Sequence, residues 1–186
     1  MGANTRWLWA LVIIAAAVAA VSSAGCTSSQ TQSPTPGALA SFLLYTNKNA
    51  GVEINYPNDW QLTGNSGSNT IATFEHGNES VLFQIQITAI QSGKTPQSLA
   101  PSLISAIQKS SNGFSLLENH TASFGGLPGY EIVVAYAGPG GQSYKALVIW
   151  TVKGTSVYEI QFTGVAAQYD EQIATAQQMI ASFKLT

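Results

Sequence analysis

Few side chains in this 186-residue chain are equipped for covalent chemistry: one cysteine, Cys26, and two histidines, His76 and His120. Nucleophilic catalysis needs a nucleophile, a base within hydrogen-bond reach and an oxyanion donor. The sequence holds no Gly-x-Ser-x-Gly elbow, and Cys26 precedes the part that can build a core. His76 falls in the turn His76-Gly77-Asn78 and His120 in Glu118-Asn119-His120-Thr121, both settings for solvated polar residues. The glycines at 125–129 and 138–141 separate strand-like runs, whereas a phosphate cradle joins a strand to a helix. The inventory points to no catalytic residue and no cofactor.

Binding chemistry has more candidates. Glu75, His76 and Glu79 cluster around one turn and have the donor types of a metal site, although such a trio is also an ordinary polar hairpin tip. Asn78-Glu79-Ser80 and Asn119-His120-Thr121 match the N-glycosylation acceptor pattern at Asn78 and Asn119. Tyr56 and Trp60 flank a strand end, and Tyr136 and Tyr144 flank a glycine-rich hairpin. Rings with a polar tip suit a ligand or partner surface, and they suit a core equally well.

Composition narrows the classes. Only 9% of residues are charged while 45% are hydrophobic, so the surface must draw on Ser, Thr, Asn, Gln and Gly. A formal charge of −2 with no basic cluster leaves no footprint for nucleic acid. Arg6 precedes fifteen apolar residues, WLWALVIIAAAVAAV at 7–21, and then Ser22-Ser23-Ala24-Gly25-Cys26. A basic start, a short apolar run and small residues make a signal-peptide pattern. The run is shorter than the ~20 residues of a typical spanning helix. Cys26 directly after Ala24-Gly25 resembles the lipobox of prokaryotic lipoproteins, whose cysteine is lipidated; Ser23 departs from it, since leucine is usual there. The alternatives are a retained N-terminal helix as anchor, or simple secretion. All three place the rest of the chain outside the cytoplasm. Residues 27–40, TSSQTQSPTPGALA, carry no charge and read as a tether reaching about 50 Å when extended. The expected organisation is a signal peptide over 1–25, a tether over 26–40 and one domain over 41–186.

Within the domain, strands are predicted near 42–45, 52–56, 70–74, 81–90, 114–124, 130–136, 144–152 and 157–163. In 81–90, Val81, Phe83, Ile85, Ile87 and Ala89 share one face, with Gln84, Gln86 and Thr88 on the other. YKALVIWTV at 144–152 is apolar on both faces and predicts a central, doubly covered strand. A helix is predicted over 98–110, with Pro101 in its first turn. A second covers about 168–183, where Tyr169, Ile173, Ala176, Ile180 and Phe183 form one stripe. Hairpin-linked strands with one internal and one terminal helix describe an α+β domain on a mostly antiparallel sheet.

Four stretches carry a resemblance to the PsbP-like family: the opening GVEINYPNDWQL at 51–62, the helix start at Ser98-Leu99, SFGGLPGYEIVVAY at 123–136, and VIWTVKGTSVYEIQFTG with the terminal helix ending Met179-Ile180-Ala181-Ser182-Phe183. The likeness spans about residues 42–186. It implies a sheet of about six strands sandwiched between helices in an α/β/α arrangement. It also implies a non-catalytic binding or assembly factor. The plant member of the family helps retain calcium and chloride at a manganese cluster; no matching ligands are found here.

The function expected from these readings is that of a membrane-anchored extracytoplasmic lipoprotein. It would be held at the membrane through Cys26 or a retained N-terminal helix, and its domain would bind an unknown protein partner or support an envelope complex. The alternative is a small-ligand or metal-binding receptor domain.

Overall fold

The alternation along YKALVIWTV sends Leu147 and Ile149 to one side of a strand and Ala146, Val148 and Trp150 to the other, all of them buried. Such a strand is stable only inside a sheet covered on both faces, and that is where it lies. The computed structural model describes residues 41–64, 67–77 and 81–186. Cys26, the tether, Asn78 and Glu79 fall outside the described residues. In chain order the elements are β1 (Phe42–Asn47), β2 (Val52–Pro57), β3 (Gln61–Thr63), β4 (Thr70–His76), β5 (Val81–Ala89), α1 (Pro96–Ser110), β6 (Asn112–Phe124), β7 (Leu127–Ala137), β8 (Ser143–Lys153), β9 (Ser156–Val165), α2 (Ala166–Ser182) and β10 (Lys184–Leu185). The glycine hairpin between β7 and β8 closes through a 3₁₀ turn at Pro139–Gly141.

The main sheet has seven strands in the order β3-β4-β5-β9-β8-β7-β6, each pair antiparallel, rather than about six. A second sheet of three strands, β1-β2-β10, packs beside it. The strands that sequence patterning did not reveal are β3 and β10, of three and two residues, too short to show an alternation.

One face of the main sheet forms a core with α2 and β2. Phe74, Phe83, Ile85, Leu147, Ile149, Ile160 and Phe162 meet Val52, Ile54, Tyr169, Ala176, Met179 and Phe183. On the opposite face Ala100, Leu103 and Ile107 of α1 pack on Ile132, Val134, Ala146, Val148 and Trp150. The result is the expected layered arrangement, with the small sheet adding to the α2 layer.

The α1 helix begins at Pro96, two residues before its predicted start. Thr95 accepts a hydrogen bond from the Ser98 backbone N–H, and the Ser98 hydroxyl accepts one from Thr95 N–H, a reciprocal cap. Pro101 therefore lies in the second turn, not the first, and removes the donor that the Gln97 carbonyl would otherwise receive. The ring is solvent-exposed, so water can reach that carbonyl. Pro57, just past the strand predicted near 52–56, is its last paired residue, opposite Phe42. Its missing N–H is tolerated because β10 pairs β2 only at Val52 and Glu53.

Candidate functional site

The four aromatic candidates divide between the two sides of the sheet. Trp60 belongs to the α2-side core at 3% exposure, with ring centroids 6.5 Å from Phe83, 6.3 Å from Phe162 and 5.5 Å from His76. The turn in which Trp60 N–H donates to the Pro57 carbonyl directs the indole inward, so Trp60 offers a partner almost no surface. Tyr56 is half-buried, its ring 4.7 Å from Phe74. Tyr136 and Tyr144 stack at 5.7 Å on the α1 side. Tyr136 is buried and its hydroxyl bonds Thr163 Oγ1 at 2.9 Å, while a Cβ at Gly138 would overlap the Tyr144 ring. Only Tyr56 and Tyr144 keep appreciable exposed area, and they do not share a surface.

Of the three metal candidates only Glu75 and His76 are among the described residues, and these two do not converge. Glu75 and His76 are consecutive in β4, so their side chains leave on opposite faces. Glu75 accepts a 2.7 Å hydrogen bond from Thr63 Oγ1, and His76 lies against Trp60 with Nε2 3.7 Å from Asp59 Oδ2. Among the described residues no group of three His, Cys, Asp or Glu side chains is placed to hold a metal ion. Asn119 is exposed on β6, the edge of the main sheet, where a glycan would meet no obstruction from the core.

Two features that the sequence did not point to have the character of a site. The first is a groove of about 290 Å³ between the end of α2 and the β6–β7 edge, lined by Ser123, Glu131, Ile149, Gln177, Ile180 and Phe183. Burial pushes the Glu131 carboxyl above its ordinary range; His120, 3.7 Å away, acts in the opposite direction and Glu118 in the same one. Its volume is at the lower limit for small-molecule pockets.

The second is a polar half-face. The α1 helix packs on β6, β7 and β8. On the same side of the sheet β4, β5 and β9 present Thr73, Gln84, Gln86, Thr88, Glu159, Gln161 and Thr163. Gln84 pairs with Gln161, and Gln86 with Glu159. Glu159 also pairs with Trp150, whose indole N–H donates to the Pro96 carbonyl at the start of α1. Only 6% of Glu159 is exposed, and desolvation pushes its carboxyl up to about 7. Among the described residues no hydrogen bond or ion pair reaches that carboxyl. The signal in the sequence was the Gln84-Gln86-Thr88 alternation; that Glu159 joins it depends on β9 pairing with β5.

Comparison with known proteins follows the fold. No curated protein matches the sequence. CyanoP, the PsbP of the cyanobacterium Synechocystis sp. PCC 6803, superposes with a TM-score of 0.63 at 15% identity, over 83% of this chain and 98% of its own. LpqN of Mycobacterium tuberculosis, described as involved in cell envelope biogenesis, gives 0.61 at 14% identity, over 81% of this chain and 87% of its own. The Ran-binding protein Mog1p of Saccharomyces cerevisiae gives 0.56 at 6% identity, over 79% and 96%. These likenesses establish a PsbP-like fold. Residues 53–182, from the start of β2 to the end of α2, match the DcrB family, and the chain belongs to that family.

Proposed function

We propose that the protein is a non-catalytic accessory factor of the cell envelope, anchored at the extracytoplasmic face of the membrane through Cys26 and binding a protein partner through its PsbP-like domain. In this reading residues 1–25 are a signal peptide, 26–40 a tether and 41–186 the single binding domain. The observation that carries it is the order along the chain: a lipobox-like Cys26, an uncharged tether, then a domain of the fold found in LpqN and Mog1p. One of those proteins takes part in envelope biogenesis and the other binds Ran, so the scaffold is compatible with binding work outside catalysis.

The test is cross-linking in intact cells followed by mass spectrometry. A partner recovered with the wild-type chain, and lost when the domain is removed, is the expected result. Recovery of none, under conditions that capture other lipoproteins, overturns the partner reading. A second reading, a receptor for a small polar ligand, is favoured by Glu159 among Gln84, Gln86 and Gln161. There a Glu159→Gln variant would abolish ligand binding while the cross-linked partner persisted.

A further inference from the structure

Consecutive strand residues point to opposite sides, so a half-buried strand hides every second side chain. β1 departs from that rule. Phe42, Leu43 and Leu44 are 38%, 46% and 64% exposed, one after another. Among the described residues β1 is the edge of its sheet and pairs only with β2, which leaves both of its sides partly open. Leu43 pairs with Tyr56, whose ring packs on Phe74, and Phe74 pairs with Leu62. Leu62 is 47% exposed on β3, the edge of the main sheet. Leu43 and Tyr56 at one sheet margin are therefore joined through Phe74 to Leu62 at the other, with Phe42 and Leu44 on the outer side of β1. Of the five large hydrophobic side chains exposed among the described residues, four lie on this rim; Leu117 is the exception. Ser41–Thr46 and Gln61–Thr63 contain no charge.

What covers such a rim is indicated by the chain that leads into it. Phe42 follows the 27–40 tether by two residues. A chain of this length reaches about 50 Å at most. An anchor at Cys26 would hold the rim at high effective concentration near the lipid headgroups, where even weak contacts are occupied. Phe, Leu and Tyr without charge are the side chains that settle into the boundary between headgroups and acyl chains. We propose that the Phe42-Leu43-Leu44, Tyr56 and Leu62 rim rests in the bilayer interface, so that the domain lies docked on the membrane instead of hanging free. This rests on the Cys26 anchor proposed above. Because β3 and β6 are opposite edges of a seven-stranded sheet, docking by β3 would hold β6 roughly 30 Å farther out, at about 4.8 Å per strand.

The folded region has no cysteine, which makes the test clean. The full lipoprotein, carrying an environment-sensitive fluorophore at Leu44→Cys or, as the distal control, Asn119→Cys, is reconstituted into vesicles that contain a lipid-borne quencher. Flotation with the vesicles reports the anchor; quenching reports docking. The expected result is flotation of both proteins, with loss of fluorescence at position 44 only, reversed by adding Leu43→Glu and Leu62→Glu. Flotation with equal signals at 44 and 119 overturns docking and leaves the anchor standing. Protein that does not float overturns the anchor, and docking with it. Concentration-dependent shielding of position 44 by a second copy in detergent would also overturn the proposal.

Discussion

Glu159 is where a single residue has the largest predicted effect on pH dependence. Its carboxyl is buried between Trp150 and Gln86, with no cation beside it among the described residues, and is pushed up to about 7 from 4.5. Between those values the folded protein holds a proton that the unfolded chain has released. Stability is therefore highest below about pH 4.5, falls as pH rises through 7, and levels off above it. The difference integrates to about 3 kcal/mol. A Glu159→Gln variant should lose this slope and unfold at higher urea than wild type at pH 8, with near-equal midpoints at pH 4. Parallel urea titrations across that range test it; a slope that survives the substitution belongs to another group. Trp60 is the contrasting case. Removing a side chain packed among Phe83, Phe162 and His76 should cost about 3–5 kcal/mol. Denaturant unfolding measures the loss, while the fraction of Trp60→Ala that folds should still capture the cross-linked partner. If it folded with wild-type stability and lost the partner, Trp60 would be a recognition residue after all.

At the scale of elements, α1 makes two opposed predictions. Thr95→Ala removes the cap on Ser98 N–H and should destabilise by about 1 kcal/mol. Pro101→Ala restores the donor for the Gln97 carbonyl. Set against the lost rigidity of the unfolded chain, it should stabilise by about 1–2 kcal/mol. Thermal melts of the two variants should move in opposite directions. The same helix shows what was legible in the sequence. The stripe of α2 and the double-sided apolar run of β8 are long and periodic, so their type and burial could be read directly. The start of α1 was hidden because Thr95-Pro96 has the composition of a loop, and the cap closes through Ser98 in place of the usual Glu or Gln. β3 and β10 exist only because β4 and β2 offer them partners, which is a tertiary cause. The polar half-face escaped for the same reason. Gln84 and Gln86 could be recognised as one side of a strand, but the pairing of β5 with β9 is what brings Glu159 beside them.

For the whole molecule, the anchor and the domain should be separable. Cys26 lies outside the described residues, among which the core draws on β2, α2 and the two faces of the main sheet. Cys26→Ser should therefore leave the melting curve of the domain unchanged while moving the protein from the membrane fraction to the extracytoplasmic fluid. If an N-terminal helix over 7–21 is retained as the anchor, the same variant stays with the membrane, and deleting that run is what releases it. Partner capture supplies a third readout. Confinement on a short tether raises the local concentration of the domain by orders of magnitude without adding a contact. A released domain should thus keep its affinity for a purified partner but lose cross-linking yield in cells. A Cys26→Ser protein that is released, folded and still cross-linked at the wild-type level would show that its partner is soluble, and that the membrane serves only to retain the protein.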